Sequence, residues 1–209
     1  MSKLKLLSRQ VGPWPMNTYV IICPSTNQSV LIDPGADPDV LLEMLGNSNP
    51  IAILLTHTHP DHVGVLEEMR ESLKVPVIGN DGPHEPLGKD VGLDEIIRDG
   101  DEYKVGEHSL RVHYAPGHIG DQICFFINKD QRVVVGDTLF EGGPGKTWSS
   151  AGFQTTLATL KKVVLPWPDD TQCYPGHGND FRLGDIRPHV ERFLAKDHGE
   201  FYGDATWDM

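Results

Sequence analysis

Residues 51–62 read IAILLTHTHPDH, an apolar run followed at once by three histidines and an aspartate. The apolar run at residues 51–55 predicts a buried strand. A loop at 56–60 follows, and a helical pattern begins at about residue 62 and continues to about residue 73. Because α/β sheets present ligands beyond the carboxyl ends of their strands, we expect the side chains of this loop to form a functional site.

The motif His-x-His-x-Asp-His within this stretch comprises His57, His59, Asp61 and His62. Imidazole and carboxylate are ligands that suit zinc, iron or manganese. In an extended or turning segment the first two histidines can point the same way, and the aspartate and last histidine can reach a second ion beside the first. The alternative interpretation is a polar loop whose histidines are incidental.

Three later sites weaken that alternative. The segments PGH at 116–118, VGDT at 135–138 and YPGHG at 174–178 each close a predicted strand. Each carries one residue that can bind a metal, next to a glycine that allows the backbone to turn sharply. These residues are His118, Asp137 and His177. Four strand ends with such side chains predict one shared metal site.

The rest of the chain reads as short strands and helices. We predict further strands at 3–7, 19–22, 30–32, 75–78, 102–105, 110–114, 123–127, 133–135 and 172–174, and helices at 38–45, 153–164 and 186–195, with Asp37 capping the first of these. Residues 80–94 and 142–152 read as loops. This order predicts an α/β fold of two sheets packed face to face with helices outside, in a single domain spanning residues 1–209.

Composition excludes several classes of protein. The formal net charge of −12 argues against nucleic acid as a partner. No apolar run approaches the roughly 20 residues of a membrane helix, and the N-terminus lacks a secretory pattern. The three cysteines, Cys23, Cys124 and Cys173, form no C-x-x-C pair. We therefore expect small buried thiols and a reducing cytoplasm, with neither disulfides nor a thiolate zinc site.

As a set, the motifs resemble those of the metallo-β-lactamase superfamily, and most closely those of glyoxalase II-like (hydroxyacylglutathione hydrolase-like) hydrolases. The resemblance spans roughly residues 15–180. It implies an αβ/βα four-layer sandwich, two packed mixed sheets flanked by helices, with the site at one edge. It also implies two divalent metal ions, zinc first, with iron or manganese as alternatives. In that arrangement the first ion is held by His57, His59 and His118, the second by Asp61, His62 and His177, and Asp137 bridges them.

Such a site suits hydrolysis. Two cations about 3.5–4 Å apart can share a hydroxide nucleophile and stabilise the developing oxyanion. Asp61 could also act catalytically, by holding or accepting the proton of the nucleophile. Asp33, in the turn after a predicted strand, is a candidate partner for a liganding imidazole, although an ordinary turn aspartate is an equal alternative.

The resemblance also suggests a substrate. In glyoxalase II-like enzymes a basic residue nine positions after the bridging aspartate binds a glutathione carboxylate, and an aromatic two positions later contacts the same ligand. Lys146 and Trp148 occupy these positions, although the lysine could equally be a solvated loop residue. True glyoxalase II enzymes carry a helical C-terminal domain, for which the chain ends too soon after His177. We expect hydrolysis of a small thioester or ester, with S-lactoylglutathione as the first candidate, and leave the oligomeric state open.

Rival functions remain. Persulfide dioxygenases share these motifs but use one iron, which His57, His118 and Asp137 would hold here; residues 145–148 read GKTW where those enzymes usually have GRTD. A lactonase and a non-catalytic metal-binding module stay open. A true β-lactamase is disfavoured because those enzymes do not use a bridging aspartate after glycine, and a nuclease is disfavoured by the acidic charge. We expect surface or structural roles for His84, His108, His113, His189 and His198. We expect packing roles for Trp14, Trp167 and Trp207, although Trp14 is close enough to the start of the fold to line a pocket mouth.

Overall fold

The first sheet of the computed structural model, which describes residues 3–209, has six strands in chain order. They are β1 (Lys5–Val11), β2 (Met16–Ile22), β3 (Gln28–Ile32), β4 (Asn49–Leu54), β5 (Val77–Gly79) and β6 (Glu95–Ile96). Strands β1 to β3 pair antiparallel, with Tyr19 opposite Ile32, and β3 to β6 pair parallel. The parallel half therefore places the carboxyl ends of β3 and β4 side by side.

The second sheet also has six strands, in reverse chain order across the sheet. They are β7 (Glu102–Val105), β8 (His108–Tyr114), β9 (Ile123–Ile127), β10 (Arg132–Gly136), β11 (Gln172–Pro175) and β12 (Phe181–Arg182). Only β10 and β11 pair parallel. Since β8 and β10 are both antiparallel to β9, the carboxyl ends of β8, β10 and β11 lie at one edge.

The two sheets bury a shared apolar core between them. It contains Tyr19 and Ile32 from the first sheet and Val112, Phe125 and Val134 from the second, all fully or almost fully buried. Helices α1 (Pro38–Leu45) and α2 (Leu66–Leu73) supply core residues to the outer face of the first sheet. Helix α3 (Ser150–Thr159), which continues as a π-helical turn over Leu160–Val164, and helix α4 (Leu183–Ala195) do the same for the second. The predicted αβ/βα sandwich is confirmed.

The start of α2 differs from the prediction. We predicted helix from about residue 62, but α2 begins at Leu66. The backbone before it bonds outside the helix, with the Val65 amide donating to Pro34 O over 3.1 Å. Gly64 also lies so close to this neighbouring turn that a Cβ would meet Gly35 O at 2.2 Å. Residues 62–65 are therefore held by the turn after β3, and not by helical hydrogen bonds.

Other element ends also differ. Asp37 is the N-cap residue of α1, as predicted, but it has a left-handed φ of 53° and its side chain makes no capping hydrogen bond. Its carboxylate instead accepts the Gly12 amide hydrogen over 2.9 Å. Helix α3 begins earlier than predicted because the Ser149 side chain caps it by accepting from Gly152 N. Helix α4 starts at Leu183 and not at 186, and β1 lies at Lys5–Val11 and not at 3–7.

Two predictions made from the composition concern the state of the cysteines and the presence of membrane helices. Cys23, Cys124 and Cys173 are free and buried, as predicted. Burial raises the pKa of the Cys124 thiol to about 12, so this thiol is neutral at physiological pH. Over residues 3–209, none of the helices combines the length and apolar character that crossing a membrane requires.

Candidate metal centre

Five histidines and two aspartates converge at the edge of the sandwich where strands of both sheets end. Backbone bonds join the sheets there: the Asn17 amide donates to Gly176 O over 2.7 Å, and the Ile123 amide donates to Thr56 O over 2.8 Å. The residues predicted from the motifs all lie at this edge: His57, His59, Asp61, His62, His118, Asp137 and His177. Residues up to 120 positions apart in sequence are thus brought within a few ångströms.

One group of donors contains His57, His59 and His118. All three are buried, and one ring nitrogen from each lies within 4.8 Å of the other two. His118 Nε2 lies 2.8 Å from His59 Nδ1. The ring of His57 packs against both neighbours, with centroid separations of 4.8 Å and 5.2 Å. The geometry is that of three imidazoles facing a single point.

A second group contains Asp61, His62 and His177, whose donor atoms also lie within 4.8 Å of one another. His177 Nε2 lies 3.1 Å from Asp61 Oδ2. His62 is fully buried, whereas the other two are partly exposed. This group therefore faces solvent more than the first does.

Asp137 lies between the two groups. Its Oδ2 atom is 3.6 Å from His118 Nε2 in the first group and 3.6 Å from His177 Nε2 in the second, and Oδ1 is 3.4 Å from His62 Nε2. The preceding Gly136 has φ +50°, a left-handed conformation that glycine adopts without strain and that turns the chain at the end of β10. A single carboxylate therefore contacts ligands of both groups.

In each histidine of the cluster, the ring nitrogen that points away from the other cluster residues is hydrogen-bonded to an oxygen of the protein. Three of them donate to backbone carbonyls: His59 Nε2 to Pro86 (2.9 Å), His118 Nδ1 to Lys146 (2.8 Å) and His177 Nδ1 to Pro15 (2.9 Å). A carbonyl oxygen only accepts, so the proton of each neutral ring sits on this outer nitrogen. The inner nitrogen then carries a lone pair directed into the cluster.

Asp33 fixes the remaining two rings. Its carboxylate accepts the Thr56 amide hydrogen over 2.7 Å, the Thr56 hydroxyl over 2.6 Å and the His62 Nδ1 hydrogen over 3.0 Å. Because the threonine hydroxyl donates to Asp33, its oxygen accepts from His57 Nδ1 at 3.0 Å. The interaction of Asp33 with a clustered imidazole, predicted from its turn, is present.

The donor set fits divalent metal ions. His57 Nε2, His62 Nε2 and Asp137 Oδ1 are buried and lack hydrogen-bond partners within residues 3–209. A buried polar atom left without a partner costs about 1–3 kcal/mol. The inner nitrogens of His59 and His118 are only 2.8 Å apart, although both outer nitrogens already hold the ring protons. Cations bound between these atoms would remove the repulsion between the two nitrogen lone pairs. They would also give the buried atoms that lack a hydrogen bond a partner.

Electrostatics favour the metal-binding forms of His57, His118 and Asp137, whereas the pKa of His62, which burial alone would lower, is raised by its contacts with Asp137 and Asp33. Burial lowers the pKa of His118 to about 4 and holds the pKa of His57 well below its ordinary value, so both rings are neutral near pH 7. Burial alone would raise the pKa of the Asp137 carboxyl, but the neighbouring His62 holds it well below its usual range. The ionised carboxylate is the form that can bridge two cations.

A cavity of about 720 Å³ opens beside the cluster and includes five of its residues among its walls. Apolar walls come from Leu87, Phe140 and Trp148, while Lys146 and Asp204 supply opposite charges. Sequence reasoning identified Lys146 and Trp148 but missed Leu87 and Asp204, because the loop at 80–94 and residues 204–206 carry no motif; Phe140 lies next to a motif residue but was given no role.

Trp14 is 72% exposed and does not line this cavity, so both the predicted packing role and the position at the pocket mouth are wrong. Its neighbour Pro15 is also exposed, but its carbonyl accepts the Nδ1 hydrogen of His177. Among the histidines outside the motifs, His84 makes a structural contact as expected, with Nδ1 3.1 Å from Asp121 Oδ2.

An αβ/βα sandwich that gathers histidines and aspartates at one edge is the architecture of a class of metal-dependent hydrolases. The family model described as the metallo-beta-lactamase superfamily matches residues 11–181. The chain belongs to this superfamily and is one of its metal-dependent hydrolases.

Two relatives illustrate the range of similarity. The chain is 32% identical over 187 residues to the "Probable metallo-hydrolase YqgX" of Bacillus subtilis, covering 80% of this chain and 87% of that protein. It is 33% identical over 151 residues to the hydroxyacylglutathione hydrolase of Klebsiella pneumoniae, covering 72% of this chain and 58% of that protein. The chain thus matches less than two thirds of the length of that hydrolase.

Solved structures agree on the fold. The crystal structure of ETHE1 from Myxococcus xanthus has a TM-score of 0.79 and 26% identity, covering 92% of this chain and 86% of that one. The crystal structure of TTHA1623 in a di-iron-bound form has a TM-score of 0.73 and 28% identity, covering 87% of this chain and 96% of that one.

Proposed function

We propose that this protein hydrolyses a small thioester or ester with the help of two divalent cations. His57, His59 and His118 would hold the first cation and Asp61, His62 and His177 the second. The observation that carries the proposal is the position of Asp137, whose Oδ2 atom lies 3.6 Å from a donor nitrogen of each group. A carboxylate shared in this way allows two dications to sit close together.

Bound cations would supply Lewis-acid activation, which polarises a substrate carbonyl and makes water a nucleophile near neutral pH. The proton of that water needs an acceptor at the cavity surface, and Asp61 lines the cavity. Burial alone would raise the pKa of Asp61, but the hydrogen bond from His177 and the charge of His62 lower it below its ordinary value. The carboxylate is therefore ionised and available to hold or accept that proton.

Lys146 and Trp148 are the proposed substrate contacts. Both line the cavity, and the lysine Nζ lies 5.0 Å from the centre of the tryptophan ring. The carbonyl of Lys146 also accepts the Nδ1 hydrogen of His118. A single residue thus connects the substrate wall with the cluster, which would fix the position of the substrate-binding side chain relative to the proposed metal site.

S-lactoylglutathione is the first substrate to test, because relatives named hydroxyacylglutathione hydrolase share 33% identity with this chain. Zinc is the first metal to test, since imidazole and carboxylate suit it. Iron is the second, because the related structure of TTHA1623 is di-iron-bound. The net charge of −12 agrees with a small-molecule substrate better than with a nucleic acid.

A second candidate is an oxidoreductase that uses one iron. Two histidines and a carboxylate with open positions are the ligands of non-haem iron oxygenases. His57, His118 and Asp137 could supply them, since His118 Nε2 and Asp137 Oδ2 lie 3.6 Å apart. The other four cluster residues would then have no metal to bind, which favours the dinuclear hydrolase; they are His59, Asp61, His62 and His177.

The test is a panel of substrates offered to protein loaded separately with zinc, iron or manganese. Thioesters should be hydrolysed, lactones and simple esters more slowly, and a persulfide should cause no oxygen uptake. Preference for lactones would reassign the protein as a lactonase. One iron per chain together with persulfide-dependent oxygen uptake would overturn the hydrolase proposal.

A further inference from the structure

The C-terminal segment, residues 203–207, lies along the loop that carries Lys146. The Thr147 amide donates to Gly203 O over 3.0 Å, and the Trp207 amide donates to Gly142 O over 3.1 Å. The indole of Trp207 also donates to Glu141 O over 2.8 Å. The segment is thus bonded to the loop at both ends.

Two further observations show how closely the segment fits. Gly143 lies so near it that a Cβ on this glycine would meet Ala205 O at 2.2 Å. The side chains of Ala205 and Trp207 are buried in the same apolar cluster as Phe193 of α4. Asp204 lies between Gly203, which accepts the Thr147 amide hydrogen, and the buried Ala205, and therefore has a defined place on the cavity wall.

Asp204 forms an ion pair with Lys146 at that wall. Its Oδ2 atom lies 3.0 Å from Lys146 Nζ, and both residues line the cavity beside the cluster. The Asp204 side chain is 80% exposed and the Lys146 side chain is 42% exposed, so the ion pair contributes little to folding stability. The separation is much shorter than the Debye length of about 10 Å, so salt does not hide one charge from the other.

This pairing changes what the lysine can recognise. An unpaired ammonium on a cavity wall attracts a substrate carboxylate. With Asp204 beside it, the two charges cancel at distances beyond a few ångströms, and an arriving carboxylate meets a like charge next to the cation. The remaining wall from Leu87, Phe140 and Trp148 is apolar. The cavity therefore suits a group without net negative charge.

We propose that Asp204 is a specificity-determining residue that makes the enzyme favour substrates whose far end is neutral or zwitterionic over those ending in a bare carboxylate. The inference rests on the proposed thioester hydrolysis, since it names the substrate class of that same cavity. Asp204 forms an ion pair with Lys146, and the C-terminal segment holds Asp204 at the cavity wall.

The experiment compares two matched series of acetyl thioesters, one made from ω-sulfanylalkanoates and one from the corresponding carboxamides, with spacers of increasing length. The measured quantity is the ratio of kcat/KM for carboxylate over carboxamide in the metal-loaded protein. We expect Asp204→Asn to raise this ratio about fivefold at the best spacer, and Lys146→Gln to lower it. Asp204→Glu keeps the charge and should keep the wild-type ratio.

Asp208→Asn is the matched control, because it removes the same charge just beyond the segment, at a residue that lies outside the cavity lining. Its ratio should equal that of the wild type. If Asp204→Asn leaves the ratio unchanged, or shifts it no more than Asp208→Asn does, the specificity role is wrong although hydrolysis stands. If the loaded wild type hydrolyses neither series, the proposed function itself fails and the specificity role with it.

Discussion

His62 Nδ1 lies 3.0 Å from Asp33 Oδ2, in a contact where both side chains are almost completely removed from solvent. The same carboxylate accepts the amide and the hydroxyl of Thr56, which follows β4. Asp33 therefore joins the end of β3, the end of β4 and one imidazole of the cluster. Its φ of 54° is in the left-handed region, which a non-glycine residue occupies only where its surroundings compensate for the strain.

Replacing Asp33 by alanine should weaken both folding and metal binding. The Thr56 amide and hydroxyl would lose their acceptor in a buried site, which costs about 1–3 kcal/mol for each such group. Loss of the oxygen that orients His62 should weaken metal affinity about 10–100-fold. Chemical denaturation and competition with a metal-binding dye measure the two effects.

Asp37→Ala is the control for that substitution. Asp37 is also an aspartate with positive φ that accepts a backbone hydrogen, here from Gly12, but it does not contact the cluster. It should lose some stability and retain the wild-type metal affinity. Wild-type affinity in Asp33→Ala would show that the ring of His62 needs no orienting partner.

Removing His177 should empty one metal position and leave the other. His177 belongs to the more exposed group, whereas His57, His59 and His118 form the buried one. We therefore expect His177→Ala to retain about one metal ion of two, measured by elemental analysis after dialysis against trace metal. His189→Ala, on the protein surface, should bind as the wild type does. Retention of both ions in His177→Ala would exclude this histidine as a ligand.

Asp137→Asn should nearly abolish turnover while the protein remains folded. An amide cannot supply the negative charge that offsets two cations, and loss of one such electrostatic group lowers kcat about a hundredfold to a thousandfold. The measurement is the rate of thioester hydrolysis by metal-loaded protein, with circular dichroism to verify folding. If the site were a purely structural metal module, the substitution would lower only the stability.

The packing of Trp207 can be tested separately from the chemistry. Its side chain is buried beside Phe193, with ring centroids 5.5 Å apart, and its indole donates to Glu141 O. Trp207→Ala should lower the free energy of unfolding by about 3–5 kcal/mol. Trp207→Phe retains most of the packing and should lose only about 1 kcal/mol with the hydrogen bond. Urea denaturation distinguishes them, and equal losses in both variants would assign the effect to the hydrogen bond.

The sequence predicted the cluster well because each of its residues belongs to a local pattern. His118, Asp137 and His177 each follow a short apolar strand and a glycine, and β-sheet geometry then brings such strand ends to one edge. The glycines allow the strand ends to lie this close together. A Cβ on Gly176, for example, would meet Asp137 Oδ1 at 2.1 Å. Local patterns of this kind can be recognised in the sequence without knowledge of the tertiary structure.

Features set by long-range packing could not be predicted in that way. Asp204 reaches the cavity because Trp207 is buried against α4, and nothing in the surrounding sequence indicates this. Leu87 lines the cavity because its loop is bonded to the histidine and aspartate cluster through Pro86 O and His59. Likewise, the delayed start of α2 follows from a contact with Pro34, some thirty residues earlier in the chain.

The central claim is that these side chains hold a pair of cations, and counting metal ions per chain tests it most directly. Protein purified without chelator and reloaded with zinc or iron should contain two metal ions per chain by elemental analysis. Turnover should be lost on chelation and return only as the second equivalent is restored. A stoichiometry that saturates at one ion, or hydrolysis that survives complete removal of metal, would contradict the account.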